Sequence, residues 1–283
     1  MSDQSTGNAA AESAAIEASY QAFLRLVATL VAGAEAHEDT ESFWVMSGAM
    51  HPMMNGVVST HLPADLSPEA TREKIAAILA PFQSRRLPLL WYIWPSTQPG
   101  DLGAYLQAYG LTHAGSSPGM TLDLAQPLPS LSPVEGLQIE RIGDDATFEQ
   151  WLNVGLNGFG FSEHDQAIMR PAFRQLSYAD PLFQYAGRLN GTIVATTSLL
   201  LKDGIAGIYN VATLPEARRK GIGAAMTLAA LNDAQAAGCQ RAILAASEMG
   251  YPIYQRLGFQ EWCAVAEYIW NPGEDADSQH SAD

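Results

Sequence analysis

Ile208-Tyr-Asn-Val-Ala-Thr-Leu-Pro-Glu-Ala-Arg-Arg-Lys-Gly-Ile-Gly-Ala-Ala-Met226 is the stretch that decides the fold. An apolar run rich in strand formers reaches Thr213, and Pro215 interrupts it. Arg218, Arg219 and Lys220 follow, and Gly221 and Gly223 open an Ala-rich helix. A helix start leaves backbone N–H groups without partners, and its dipole favours negative charge there. Glycines let the backbone approach a phosphate with no Cβ in the way. A strand that feeds such a helix through a basic turn is a place to hold a pyrophosphate.

Working outward, the helix keeps apolar positions at Ile222, Met226, Ala229, Ala230 and Ala234 and stops at Gly238. Upstream, Leu182–Leu189, the Asn190-Gly191 turn and Thr192–Lys202 make a hairpin, and Asp203-Gly204 turns into Ile205–Thr213. Leu137–Arg141 alternates as a strand, and 144–158 and 163–176 read as helices. Downstream come a strand at Arg241–Ala246, a short helix at 252–257 and a final strand or hairpin at 260–270. The order β-α-α-β-β-β-α-β-α-β is α+β, with a mostly antiparallel sheet and one helical crossover after the glycine turn. Pro127, Pro129 and Pro133, separated by serines and leucines, mark a linker near 126–135.

Before the linker, apolar spacing predicts a helix over 11–36. Strands follow at 43–46, 56–60 and 87–94, with helices at 67–83 and 100–109. Residues 111–124 read as two strands around a Gly115–Gly119 turn. Residues 1–10 and the tail from Gly273 are small and polar, so disorder is expected.

Composition narrows the classes. The chain has 283 residues, enough for two domains of roughly 100–150 residues each. A formal charge of −15 argues against general nucleic-acid binding and is compatible with cationic substrates. No apolar run is long enough to span a bilayer, and Met1-Ser-Asp-Gln-Ser-Thr-Gly is unlike a secretory leader. Cys239 and Cys263 share no metal-ligand spacing with a histidine and read as reduced thiols of a cytoplasmic protein. His51 and His61 lack acidic partners at metal spacing, so no metal is expected. Trp44, Trp91, Trp94 and Trp151 lie in apolar runs and are most simply core, with a lining role in an acceptor pocket left open.

A second segment, Ala245-Ala-Ser-Glu-Met-Gly-Tyr-Pro-Ile-Tyr-Gln-Arg-Leu-Gly-Phe259, again joins a strand to a short helix. Together the two segments resemble the GNAT superfamily of acyl-CoA-dependent N-acyltransferases, over roughly residues 137–270. The resemblance implies acetyl-CoA as co-substrate, with Val211, Ala212 and Thr213 on the strand that pairs with the pantetheine arm. An amide of that strand can polarise the thioester carbonyl. Arg219, Lys220, Gly221, Ile222, Gly223 and Ala224 match the loop that cradles the pyrophosphate. Arg218 matches a position that serves turn geometry, and Tyr254 matches the tyrosine that protonates the leaving thiolate. Ser247 stands where the family often has Asn and can donate to the pantetheine with shorter reach.

In this chemistry a neutral amine attacks the thioester directly, and the developing oxyanion needs a donor. The general base is not identified. Glu163, His164 and Asp165 lie where the family shapes its acceptor site, with helix capping as the alternative for the acids. Glu248 either faces the acceptor or is solvated surface, and Glu216 reads as structural. The expected acceptor is a small-molecule amine or a peptide or protein amine. Homodimer formation stays open, and neither nucleic acid nor membrane is expected as a partner. A non-catalytic acyl-CoA-binding regulatory or structural protein is the alternative function.

The expected domains are 12–125 and 135–271, the second a catalytic GNAT domain. Tyr105-Leu-Gln-Ala-Tyr-Gly-Leu111 resembles the Tyr-x-x-x-Gly-Phe ending of the second half, with no Arg-x-x-Gly-x-Gly loop before it. The first domain therefore reads as a degenerate GNAT-like copy or as an unrelated α+β cap.

Overall fold

A computed structural model describes residues 2–176 and 178–273, with residues 2–7 described in backbone only. The chain forms two compact units that interleave in sequence. Of the described residues, one holds those up to Phe23 together with those of Pro118–Cys263, and the other holds Leu24–Ser117 and Ala264–Gly273. The unit boundaries thus fall inside a helix and two strands, where the sequence expectation divides the chain at the proline-rich segment.

The C-terminal unit is α+β, with a mixed, mostly antiparallel sheet flanked by helices. Helix α1 (Ser2–Leu30) supplies its first element. Strand β5 (Thr112–Asp123) lies antiparallel to β10 (Arg241–Ala245), from Arg241 opposite Asp123 to Ala245 opposite Gly119. Strand β10 runs parallel to β9 (Ile205–Thr213), which continues antiparallel through β8 (Thr192–Lys202), β7 (Leu182–Leu189) and β6 (Leu137–Arg141). Helices α4 (Asp145–Gly158), α5 (Glu163–Phe173), α6 (Ile222–Ala236) and α7 (Tyr251–Arg256) complete the unit. Its core gathers Leu199, Ile208, Ile222, Met226, Ala230, Leu244 and Phe259. Met226, Ala230 and Ala234 are each fully buried, as their helical spacing requires.

The N-terminal unit repeats the same order of elements. Strands β1 (Glu35–Glu38), β2 (Ser42–Met46) and β3 (Asn55–Thr60) are joined by helix α2 (Pro68–Ser84) to β4 (Leu89–Ile93). Helix α3 (Leu102–Ala108) then leads into β5. In the C-terminal unit the series β7-β8-β9-α6-β10-α7 leads into β11 (Gln260–Trp270) in the same way. The pairing repeats as well. Strand β3 runs parallel to β4 at Gly56–Leu90 and Val57–Trp91, and an antiparallel strand, β11 from Ala266 to Trp270, closes β4 on its other edge. Each unit thus takes its closing strand from the end of the other series.

Three sequence expectations are corrected here, the first being the helix over 11–36, which ends at Leu30 and gives way to β1 from Glu35. The expected disorder before residue 11 is replaced by helix from Ser2 onward. Anchors downstream account for it: Ile16 is buried, Glu12 pairs with Arg241 at 2.9 Å and accepts a hydrogen bond from Thr121, and Phe23 stacks on Tyr209. A helix held this firmly propagates backwards at little cost per residue. The expected turn in 111–124 is absent, and β5 is one strand of 12 residues. Gly119 serves close packing there, since a Cβ would lie 2.6 Å from Cys263 Sγ. The predicted tail lies outside the described residues apart from Gly273.

Candidate active site

The site grows from the way β9 and β10 part. Their parallel pairing runs from Ile205–Arg241 to Gly207–Ile243 and stops, while β9 continues to Thr213. Beyond Gly207 the edge of β9 that faces away from β8 is therefore open toward β10. Leu214 N–H bonds to Val194 on the β8 side, so alternation turns Thr213 and Val211 toward the open edge. The carbonyl of Thr213 on that edge accepts from Arg218 Nε at 3.1 Å.

Within this opening β9 carries a bulge. Thr196 stands opposite Ala212 and Ser198 opposite Tyr209, so Asn210 and Val211 together face Thr197. Asn210 takes up the extra residue with a left-handed φ of 52°. Asn is among the few residues with a side chain that enter this region readily.

After β9 the chain turns through Pro215–Ala217 into the basic loop. Arg219 (φ 61°) and Gly221 (φ 80°) are both left-handed, and Gly221 caps α6 without any side-chain hydrogen bond. Among the described residues, no acceptor meets the N–H groups of Arg219, Lys220, Gly221, Ile222, Gly223 or Ala224, and the first such bond is Ala225 N–H to Gly221 at 3.0 Å. Six consecutive donors at a helix N-terminus have the chemistry that suits an anion. Arg219, Lys220 and Gly221 are exposed, Gly223 and Ala224 are partly buried, and the Ile222 side chain is buried. Lys220 Nζ donates to the carbonyl of Glu216 at 3.2 Å.

The two sequence signatures meet at α7. A Cβ on Gly223 would sit 3.8 Å from Ile253 Cδ1 and 3.9 Å from Thr213 Oγ1. One residue on, Tyr254 packs edge-on against Phe259, with ring centroids 5.9 Å apart. Gly250 makes room for that ring, since a Cβ there would come within 2.7 Å of Tyr254. Burial pushes the Tyr254 phenol up to about 12. Its hydroxyl has no hydrogen-bond partner among the described residues and is not sealed from solvent. Ser247 accepts from Gly250 N–H at 3.2 Å through Oγ and from Tyr251 N–H through its carbonyl. It starts the α7 turn and keeps its hydroxyl proton to donate.

Ser162 caps α5 and bonds both the N–H and the carboxylate of Asp165, while Glu163 and His164 are exposed. Glu248 and Glu216 are exposed as well. His51 caps a short turn through Met53 N–H, and no metal-holding cluster occurs among the described residues. Trp91, Trp94 and Trp151 are buried, and Trp44 packs partly buried against the N-terminal core. Both cysteines are free, and burial raises both thiols.

Sequence reasoning missed the polar residues beneath the bulge. Gln184, Thr196, Thr197 and Ser198 are fully buried in the middle of β7 and β8. A polar run inside an apolar hairpin, opposite an Asn in mid-strand, was the available signal.

In the N-terminal unit the corresponding places are filled. Ser67 Oγ caps α2 by accepting from Ala70 N–H, Pro68 contributes no N–H, and Glu69 puts an acid in the first turn. The β3 edge is occupied by its own chain: Trp94 Nε1 donates to Val58, Gln98 N–H to Thr60, and Leu62 N–H to Gln98. Counted back from the glycine, the place of Tyr254 is held by Leu106, fully buried.

Residues 148–259 match the model of the acetyltransferase (GNAT) family. A mycothiol acetyltransferase from Thermobispora bispora is 28% identical over 187 residues, 60% of this chain. The match spans 63% of that relative's length, just under two thirds. A GCN5-related N-acetyltransferase from Kribbella flavida superposes with a TM-score of 0.68 at 19% identity, covering 93% of this chain and 98% of that one. A tandem GNAT protein from the clavulanic acid biosynthesis pathway gives 0.59 at 13% identity, covering 86% and 84%. These likenesses carry the fold over nearly the whole chain.

Proposed function

We propose, for a chain whose residues 148–259 are a GNAT acetyltransferase domain, that it moves an acetyl group from acetyl-CoA to a primary amine by direct attack in a ternary complex. The observation that carries this reading is the run of six unpartnered N–H groups from Arg219 to Ala224, opened by left-handed Arg219 and Gly221. Such a nest fits a diphosphate, and Arg219 and Lys220 add positive charge beside it.

In this reading the pantetheine lies along the open edge of β9 at Val211–Thr213, with Ser247 donating to it. The Val211 N–H polarises the acyl carbonyl and stabilises the oxyanion as the amine adds. The neutral amine forms the new C–N bond and loses its proton to solvent water, the C–S bond breaks, Tyr254 gives its proton to the departing sulfur, and solvent returns a proton to the phenolate. A phenol held protonated by burial suits that role. The acceptor is first a small-molecule amine, in keeping with the name of the mycothiol acetyltransferase relative, and second a peptide or protein amine. The negative net charge favours a cationic acceptor.

Release of CoA thiol from acetyl-CoA with a panel of amines tests the proposal. Amine-dependent thiol release supports it. Tight CoA binding with no release above background for any amine replaces it with an acyl-CoA-binding regulatory or structural protein.

A further inference from the structure

The buried polar residues below the β9 bulge are the part of the C-terminal unit that packing does not explain. Asn210 Nδ2 donates to Ser198 Oγ at 2.9 Å, and Ser198 Oγ in turn donates to Gln184 Oε1. Thr196 Oγ1 donates to the carbonyl of Asn210 at 2.7 Å. Gln184, Thr196 and Ser198 have no exposed surface at all. Buried polar side chains cost free energy unless paired, and a fully paired chain specifies one geometry.

The N-terminal unit provides an internal control. There β2 and β3 also shift register by one residue, with Phe43 opposite Ser59 and Trp44 opposite Val57, leaving Val58 as the extra residue. That bulge forms around a buried Val58, whose carbonyl accepts from Trp94 Nε1; Ser42, Ser59 and Thr60 are buried beside it, but among the described residues no chain of side-chain hydrogen bonds links β2 to β3 there. The polar chain is thus not needed merely to make a bulge. It is present in the unit whose β9 edge is open and absent from the unit whose edge is occupied.

We propose that Gln184, Ser198 and Asn210 are positioning residues: their hydrogen-bonded chain holds the β9 bulge so that the Val211 N–H aims at the acyl carbonyl. Thr196 fixes the same peptide from its carbonyl side. This rests on the acetyltransferase reading above. None of the three is assigned contact with the reacting atoms; they act through the backbone of Val211. Gln184 restrains Ser198, Ser198 restrains the Asn210 side chain, and Asn210 sets the peptide that precedes Val211.

The test is the infrared carbonyl stretch of bound acetyl-CoA labelled with carbon-13 at the acyl carbonyl, read beside CoA affinity and acetyl transfer. In the unaltered protein the stretch is expected below its position in free acetyl-CoA. In Ser198→Ala it is expected to move back toward the free position, with transfer down about tenfold to a hundredfold, as for a misaimed oxyanion donor. CoA affinity is expected to stay within about twofold, because CoA has no acyl carbonyl to meet Val211. Ser198→Thr keeps the hydroxyl and is expected to restore both readouts. Asn210→Gly keeps the left-handed backbone at a half-exposed position and removes only the side-chain link, so it reports even where Ser198→Ala does not fold. Unchanged stretch and rate in Asn210→Gly or Ser198→Ala overturn the positioning role alone. An unaltered protein that binds neither CoA nor acetyl-CoA overturns the functional reading, and this inference with it.

Discussion

Arg218 Nη2 donates to the carbonyl oxygen of Gly158 at 2.8 Å, while its Nε holds the carbonyl of Thr213 at 3.1 Å. One guanidinium thus ties together the last residue of α4, the last residue of β9 and the start of the basic loop. Gly158 is the residue that allows the approach: a Cβ there would come within 2.9 Å of Ala212 Cβ. These two hydrogen bonds hold the backbone frame around the loop. Arg218→Ala removes two charge-assisted hydrogen bonds in a half-buried place, so a stability loss of about 1–3 kcal/mol is expected. Arg218→Lys is expected to lose nearly as much, since an ammonium lacks the planar fork that meets both carbonyls. Denaturant unfolding of both variants checks this; a fully stable Arg218→Lys would show that a single point charge suffices.

Gly221 separates backbone strain from charge at the anion nest. Its φ of 80° disfavours any side chain, while a Cβ would meet only Val134 at an ordinary 3.6 Å. Gly221→Ala is therefore expected to cost about 1–2 kcal/mol in stability and a modest part of CoA affinity. Gly221→Glu adds a negative charge among the N–H donors and is expected to abolish CoA binding. The N-terminal unit offers no substitute, with α2 capped by Ser67 and the β3 edge taken by Trp94 and Gln98. Calorimetric titration should accordingly give one CoA per chain in the natural protein and none in Gly221→Glu. A stoichiometry of two, or half the binding retained in the variant, would relocate the coenzyme.

Much of this was legible in the sequence because local rules and tertiary demands agreed. Strand, turn and helix around Gly221 each carry their own signal, and Ser67-Pro68 or Asn190-Gly191 could hardly be read otherwise. What escaped depended on partners distant in sequence. The polar start of α1 reads as disordered until Glu12 finds Arg241, and Gly119 reads as a turn until Cys263 closes on it. Exposed β1 lacks an alternating apolar face and gives no strand signal. The sharing of closing strands is a property of register across the chain, which no local pattern encodes. The bulge polar chain was hidden for a related reason: Gln184, Ser198 and Asn210 become a unit only when three strands align.

Tyr254 is where the electrostatics make a prediction with a sign. Burial raises its phenol from the ordinary value of 10.0 to about 12, so the folded protein keeps it protonated across the physiological range. A raised value in the folded state means that stability is fully present below pH 10 and is lost as pH climbs toward 12. The proposed acid should therefore contribute no falling limb to the pH–rate profile below about pH 11. Any rising limb at lower pH belongs to the amine losing its proton. Tyr254→Phe keeps the ring against Phe259 and Gly250, so acetyl-CoA affinity should hold within about twofold while turnover drops about a hundredfold. The loss should shrink for an acyl donor whose leaving thiol is more acidic, because such a thiolate needs less help from a proton. Acetyl transfer measured with both donors checks the assignment: equal losses for the two would mean that the hydroxyl orients the substrate without delivering a proton to sulfur.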